Sequence, residues 1–232
     1  MRQIDRNIWV HEDSMNMMGT QLGLRMTVIR LADGSVWVHS PTAISPELQQ
    51  QVNEIGPVKH LIAANNHHCK WLQDWSEAYP DAELYVSAGI PNKIPLSNFH
   101  ILQPGMENVW PEDLDWETMP SVPMFHETVF VHKPSQSLIV TDLIQNYPDT
   151  SHLTGVVGFM SKYVFEPIGF KGCCIAPPLK MGFIIKDKAA FKRFIQLIQS
   201  WDFQRIIVTH GDIIAEEAKS VFSELMHRFL VK

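Results

Sequence analysis

The chain has 232 residues, of which 45% are hydrophobic, and a formal net charge of -6 at pH 7. This length and apolar content suffice for one large domain with a filled core, so we expect a single domain over residues 1–232. The acidic balance argues against a nucleic-acid-binding surface, which is normally basic. The sequence also contains no apolar signal run at its start and no stretch of roughly 20 apolar residues that would predict a membrane span.

Hairpin and helix signals dominate the first third of the chain. Residues 26–31 and 35–39 are rich in β-forming residues and flank an Asp-Gly pair, which is typical of a hairpin turn. A helix is predicted over 46–55, because a Ser-Pro pair marks its start and a Gly-Pro pair marks its end. Residues 58–64 then predict a buried strand, and apolar residues over 71–78 recur at helical spacing.

The later elements continue this mixture of hairpins and strand–helix units. Residues 87–123 are rich in Pro and Asn and predict no element. The remaining predictions are a strand at 84–86, a hairpin at 129–132 and 138–141, a helix capped by Asp187, a strand at 206–208 and a helix over 214–230. This combination predicts a layered α/β domain with mixed sheets.

Residues 153–183 form the longest apolar-leaning stretch, which charged residues and prolines interrupt. We interpret it as an insertion that packs on the core or on a second copy, because large exposed apolar patches are uncommon on monomers. A homodimer is therefore expected. The three cysteines, Cys69, Cys173 and Cys174, have no disulfide-framework spacing, which favours a reducing cytoplasm.

Four residues with metal-binding chemistry share one local context. His67, His126, Asp142 and His210 each lie at or just past the end of a predicted strand. Strand ends are where an α/β sheet presents side chains to a ligand crevice. Imidazole and carboxylate groups bind first-row metals, so the series predicts a metal site that acts on a small molecule.

The order of these elements resembles the metallo-β-lactamase fold superfamily over nearly the whole chain. The resemblance implies an αββα sandwich of two mixed β-sheets flanked by helices, with a metal site along one edge. The superfamily's first signature is H-x-H-x-D-H, and the matching segment here reads NNHHCK at 65–70. This variant looks like a side branch of the superfamily that is classed as a domain of unknown function.

Two registers align this segment with the signature. If Asn65 takes the first His position, His67 takes the second, Cys69 the Asp and Lys70 the last His. A shift of one residue instead puts His68 at the second His and Lys70 at the Asp. We prefer the first register because it retains two potential ligands, but both remain open.

Three later positions match the superfamily's remaining ligands. The resemblance makes His126 the third His, Asp142 the Asp that bridges two metals, and His210 the final His. It implies a first metal held by His67, His126 and Asp142, and a second held by Asp142, His210 and Cys69. A protonated Lys70 in a ligand position repels a second cation, so we expect one ion at most. Zinc is the expected metal, with iron, manganese or a metal-free site as alternatives.

The implied function is a metal-dependent hydrolase of an ester, lactone, thioester or phosphoester that uses a metal-bound water. Asp142, His210 and Lys70 would be its catalytic residues. The alternative is a degenerate, non-catalytic member of the fold that binds a small molecule or a protein partner. The sequence does not specify the substrate, because the fold alone does not fix function.

Overall fold

The strands of this chain form two large sheets and a small third one. The computed structural model describes residues 1–17, 20–148, 154–166, 172–182 and 184–231. Within these residues, the first sheet has seven strands in spatial as well as chain order: β1 (Arg2–Asp5), β2 (Ile8–Met17), β3 (Thr20–Arg30), β4 (Val36–His39), β5 (Val58–Ala63), β6 (Glu83–Ser87) and β7 (Phe99–Leu102). Strands β1 to β4 pair antiparallel, and β4 to β7 pair parallel.

The second sheet contains four strands from the later part of the described chain. They are β8 (Leu114–Thr118), β9 (Thr128–His132), β10 (Ser137–Val140) and β13 (Arg205–Val208), in the spatial order β13-β10-β9-β8. Strand β10 pairs antiparallel with β9 and parallel with β13. A separate antiparallel pair joins β11 (Ile144–Tyr147) to β12 (Gly172–Ile175).

The described residues form six helices. They are α1 (Pro46–Ile55), α2 (Leu72–Ala78), α3 (Gly155–Met160), α4 (Pro177–Met181), α5 (Lys188–Ser200) and α6 (Ala218–Leu230), with a 3-10 turn at Ile90–Asn92 and a π-helical turn at Ser161–Phe165. Five of the six helices, all except α3, contribute to the apolar clusters on the outer faces of the two large sheets. Two of them begin at the predicted caps. The Ser45 hydroxyl accepts the Leu48 N–H, and the Asp187 carboxylate accepts the Ala190 N–H.

Three apolar clusters show how the layers stack. Trp37 of the first sheet and Phe130 of the second lie in one cluster between the sheets. Trp75 of α2 lies in a cluster on the outer face of the first sheet, and Phe222 of α6 lies in a cluster on the outer face of the second. The order is therefore helices, sheet, sheet, helices, which confirms the predicted αββα sandwich.

Several parts of the chain were not predicted or only partly predicted, including β11. Strands β1 and β2 were missed, and the 87–123 segment contributes β7 and β8. The described part of the 153–183 insertion contains α3, the π-helical turn, β12 and α4, while residues 153, 167–171 and 183 lie outside the described residues. The homodimer stays a prediction. In the described residues, no helix is both long and apolar enough to cross a membrane.

His132, at the end of β9, gives the fold a predicted dependence on pH. Burial lowers the pKa of His132 to about 4 from its ordinary 6.5, although the Asp5 carboxylate opposes the shift. The unfolded chain therefore takes up a proton below pH 6.5 that the folded chain refuses, and stability falls from pH 6.5 to about 4. At about 1.4 kcal/mol per pH unit, this penalty approaches roughly 3 kcal/mol.

We expect His132→Phe to remove the His132 contribution of roughly 3 kcal/mol between pH 6.5 and pH 4, because the substituted chain lacks that titrating group. The fully buried His39, whose pKa burial lowers to about 3, keeps its own contribution in both proteins. Urea unfolding from pH 4 to pH 7 measures the effect. His227→Phe, at an exposed position on α6, is the control and should retain the wild-type slope. If the free energy of unfolding depends on pH equally in wild type and His132→Phe, the pKa shift assigned to His132 is wrong.

Candidate metal centre

Three side chains meet at the edge where the two sheets end. His68, Asp142 and His210 each offer one ligand atom, and these atoms lie within 4.8 Å of one another. The Nε2 atom of His68 lies 3.4 Å from Asp142 Oδ2, and the Nε2 atom of His210 lies 3.6 Å from Asp142 Oδ1. The group is nearly enclosed, with side-chain exposures of 7% for each histidine and 10% for the aspartate.

Parallel strand pairing brings two of these residues together. Val140 of β10 pairs with Val208 of β13, so the chains run side by side and in register as they leave the sheet. Asp142 and His210 each lie two residues beyond these paired valines and consequently become neighbours. His68 comes from the turn after β5 in the other sheet, and its backbone N–H donates to the Asn65 carbonyl at 3.0 Å.

The backbone fixes the orientation of the His210 ring. Its Nδ1 atom lies 2.9 Å from the carbonyl oxygen of Gly23 on β3. A carbonyl oxygen only accepts, so Nδ1 carries the proton in this contact. Burial lowers the pKa of His210 and so favours the neutral ring, whose Nε2 lone pair then faces Asp142. Metal-binding histidines commonly have this arrangement, in which the second ring nitrogen donates to a carbonyl.

Asn65 holds the Asp142 carboxylate from the other side. Its Oδ1 accepts the His67 backbone N–H at 2.9 Å, and because that N–H only donates, the amide orientation is determined. Its Nδ2 then donates to Asp142 Oδ2 at 2.8 Å and to the Thr141 hydroxyl at 2.9 Å. Asn65 is thus a positioning residue for Asp142.

The buried Glu127 carboxylate fixes the backbone that carries Asp142. Its two oxygens accept the backbone N–H groups of Thr141 at 2.7 Å and Asp142 at 3.0 Å. Burial and the nearby Asp142 charge raise the pKa of Glu127 to about 7. Burial also pushes the pKa of Asp142 upward, but the neighbouring His68 outweighs it and holds that pKa below its ordinary value.

The three ligand atoms suit a first-row divalent ion. Zinc–nitrogen and zinc–oxygen bonds of about 2.0–2.2 Å place two tetrahedral ligands roughly 3.3 Å apart. The separations of 3.4 and 3.6 Å are close to this value. Two imidazoles and one carboxylate also form the ligand set of non-haem iron sites, so the donors alone do not select between zinc and iron.

Comparison with known proteins identifies the family of the chain. The family described as "Domain of unknown function (DUF4336)" matches residues 5–154. The chain belongs to this family. No curated protein matches it.

Solved structures show the fold of this DUF4336 protein. A metallo-β-lactamase from Pontibacter korlensis matches with a TM-score of 0.61 and 12% identity over 97% of each chain. The mono-zinc form of FIM-1 metallo-β-lactamase from Pseudomonas aeruginosa matches with a TM-score of 0.62 and 12% identity, over 100% of this chain and 96% of that one. A metal-soaked flavodiiron core from Synechocystis matches with a TM-score of 0.66 and 9% identity, over 98% of this chain and 60% of that one. At such identities the likeness shows the fold alone, and this fold is that of the metallo-β-lactamases.

The described structure brings together only some of the site residues that the sequence predicted. Asp142 and His210 meet as expected, but the histidine that joins them is His68, which belongs to the register that we did not prefer. His67 is exposed, and its ring contacts Phe125 with centroids 5.8 Å apart. Asp142 and His210 were both predicted as ligands of the second metal, whereas His68 takes the second His position of the signature, which the prediction gave to His67 at the first metal.

His126, Cys69 and Lys70 do not contribute to this group of ligand atoms among the described residues. His126 has a left-handed backbone with φ of 45°, and burial together with Lys186 lowers the pKa of its ring. Burial raises the pKa of the Cys69 thiol, which disfavours the thiolate that would bind a metal. Lys70 is exposed, and its ammonium lies 4.6 Å from the Trp71 ring centre.

Two cavities flank the three residues. The larger, of about 360 Å³, is lined by Arg25, Tyr147 and the two neighbours of His210, Thr209 and Gly211, among others. The smaller, of about 60 Å³, is lined by His68, His67 and Lys70, among others. Sequence reasoning did not single out Arg25, whose buried guanidinium donates to the Val208 carbonyl and pairs with Glu12 at 3.1 Å.

Removing the Asn65 amide should weaken metal binding without removing a ligand. We expect Asn65→Ala to lower zinc affinity roughly 10- to 100-fold, as is typical of residues that position a ligand. Competition with a chromophoric chelator measures the change. Asn53→Ala, in helix α1 and remote from the group, is the control and should leave the affinity unchanged. Equal affinities for wild type and Asn65→Ala would contradict the positioning role.

Proposed function

We propose that this DUF4336 protein is a hydrolase that holds one divalent metal ion with His68, Asp142 and His210. The observation that carries the proposal is the contact between His210 Nε2 and Asp142 Oδ1, at 3.6 Å. Because Nδ1 of His210 donates to Gly23, the neutral ring presents a lone pair to a carboxylate oxygen that also only accepts. Two such acceptors repel each other unless a cation or a second proton lies between them.

The chemistry of a divalent ion matches what this arrangement offers. A bound ion of this kind lowers the pKa of a coordinated water from 15.7 to about 7 and so supplies a nucleophile at neutral pH. Asp142 would hold the ion with an oxygen that the amide of Asn65 keeps in place. His210 would bind through the nitrogen that its contact with Gly23 leaves unprotonated. His68 would complete the ligand set from the opposite sheet.

The adjacent cavity of about 360 Å³ would receive the substrate. This volume lies at the lower end of the range for small-molecule sites, which favours a compact ester, lactone, thioester or phosphoester. Tyr147 and Arg25 both line the cavity. Burial and the Asp142 charge raise the pKa of Tyr147, so its hydroxyl stays protonated at neutral pH. The phenol and the guanidinium would donate hydrogen bonds to negative charge that develops on the substrate.

Metal content and turnover together test the proposal. Protein purified without chelator is analysed for metals, and then again after separate loading with zinc, iron(II) or manganese(II). Each form is assayed on lactone, thioester and phosphodiester substrates. We expect one ion per chain at most, hydrolysis of one substrate class, loss of that activity on chelation, and its return with one of the three metals.

The competing function is a non-catalytic member of the fold that binds a small molecule or a protein. The low side-chain exposures of His68 (7%), Asp142 (10%) and His210 (7%) favour this alternative, because they leave little room for a reacting group beside the three ligands. Metal binding without turnover would point to this alternative with the metal site intact. Protein that takes up no ion under any loading condition would contradict the metal site itself.

A further inference from the structure

A third cavity, of about 680 Å³, lies between the amino end of α5 and the carboxyl end of α6, with α4 at its rim. It shares no lining residue with the two cavities beside the metal centre. Phe191 and Phe229 give it an aromatic lining, and their rings meet edge to face with centroids 5.1 Å apart. Ile185 and Met181 add further apolar surface. The volume lies well within the range of small-molecule sites.

The charged residues that line this cavity are all of one sign. They are Lys180, Lys188, Lys192 and Arg228, and no Asp or Glu joins them among the described lining residues. This is notable in a chain whose net charge is -6. The cations come from two segments some 40 residues apart, so they form no cluster in the sequence.

Three of these cations, Lys188, Lys192 and Arg228, have no acidic partner in the described structure. No ion pair there joins Lys188, Lys192 or Arg228 to an acid. The Lys192 ammonium donates to the Leu230 carbonyl, which uses one of its three protons. The nearest acids along the chain are Asp187, beside Lys188, and Glu224, one turn before Arg228 on α6. Neither forms an ion pair with these three cations in the described structure, and Asp187 accepts the Ala190 N–H as the cap of α5. The cavity therefore presents positive charge beside an apolar floor.

We propose that this cavity binds a single-chain amphiphile with an anionic head, of which a medium-chain fatty acid carboxylate is the simplest case. The head would pair with Arg228 and Lys188, since a guanidinium and an ammonium both donate to a carboxylate. The hydrocarbon tail would contact Phe229 and the exposed side chains of Met181 and Val231, behind which the buried Phe191 packs. An anion without a tail would leave the apolar surface uncovered, and a neutral or cationic amphiphile would leave Lys188 and Arg228 without a counter-charge.

Calorimetric titration with dodecanoate, below its micelle concentration, tests the proposal on the intact chain. We expect one molecule bound per chain, with an affinity that falls as salt is raised because the pairing is electrostatic. Acetate and dodecyltrimethylammonium should bind at least tenfold more weakly than dodecanoate, since each lacks one of the two features. Asp142→Asn should bind dodecanoate as wild type does, which separates this site from the metal centre.

Charge reversal locates the site. Arg228→Glu should weaken dodecanoate binding about tenfold or more. Arg193→Glu is the matched control, because this substitution changes the net charge equally. Arg193 is exposed on the same helix as Lys192 but lies outside the cavity. Lys188→Glu, at an exposed position, provides a second test if Arg228→Glu does not fold.

Three results would overturn the proposal. One is that the control Arg193→Glu weakens dodecanoate binding as much as Arg228→Glu does, or as much as Lys188→Glu where that variant is used instead. Another is dodecyltrimethylammonium binding as tightly as dodecanoate. The third is association with anionic phosphatidylglycerol vesicles in the absence of any binding to monomeric dodecanoate, which would identify a membrane-surface patch instead.

Discussion

Asp142→Asn should remove metal binding and lower hydrolytic turnover on the order of 10³-fold. The carboxylate is the shared element of the centre, since one oxygen faces His68 at 3.4 Å and the other faces His210 at 3.6 Å. The amide has nearly the same shape but lacks the negative charge that attracts a divalent ion, and one of its two arms no longer accepts. The expected loss is comparable to that for removing an electrostatic stabiliser from an enzyme site.

Elemental analysis after zinc loading and initial rates on the active substrate class measure this effect. Asp74→Asn is the matched control, because Asp74 is exposed in the first turn of α2 and the same change there should alter neither quantity. If Asp142→Asn and wild type turn over substrate equally, the measured activity comes from a contaminant. The hypothesis of a non-catalytic binding protein is then favoured over that of a hydrolase.

The strand ends that build the centre could be predicted because local rules and tertiary pairing agree there. Residues 138–140 and 206–208 are short apolar runs that predict buried strands, and each is followed by a threonine and then by the site residue. The parallel pairing of Val140 with Val208 then places Asp142 beside His210. Prediction of these two residues needed only the strands and their order along the chain.

The identity of the first histidine could not be predicted in the same way. Residues 65–70 form a turn with no hydrophobic period, so sequence does not say which of two adjacent imidazoles faces inward. The decision rests on Asn65, whose side chain accepts the His67 N–H while its carbonyl accepts the His68 N–H. Such a turn is specified by contacts with Asp142 and Thr141, which are more than 70 residues away.

The first two strands and the basic cavity escaped prediction for related reasons. Strand β1 has two exposed and two half-buried residues, and its only strand neighbour is β2, so no buried face marks it in the sequence. The cavity between α5 and α6 depends on how two amphipathic helices dock. Each helix shows its apolar face in the sequence, but the spacing between their ends is set by packing.

His68→Ala should lower zinc affinity on the order of 100-fold or more, whereas His67→Ala should change it by less than about twofold. The two rings are adjacent in sequence, but only His68 lies against Asp142, with a side chain that is 7% exposed. His67 is exposed beside Phe125 and outside the group of ligand atoms. Chelator competition on both variants measures the difference, and each serves as the composition-matched control for the other. The opposite order of effects would mean that the turn at 65–70 rearranges when metal binds, with His67 as the ligand and the register first preferred from the sequence as the functional one.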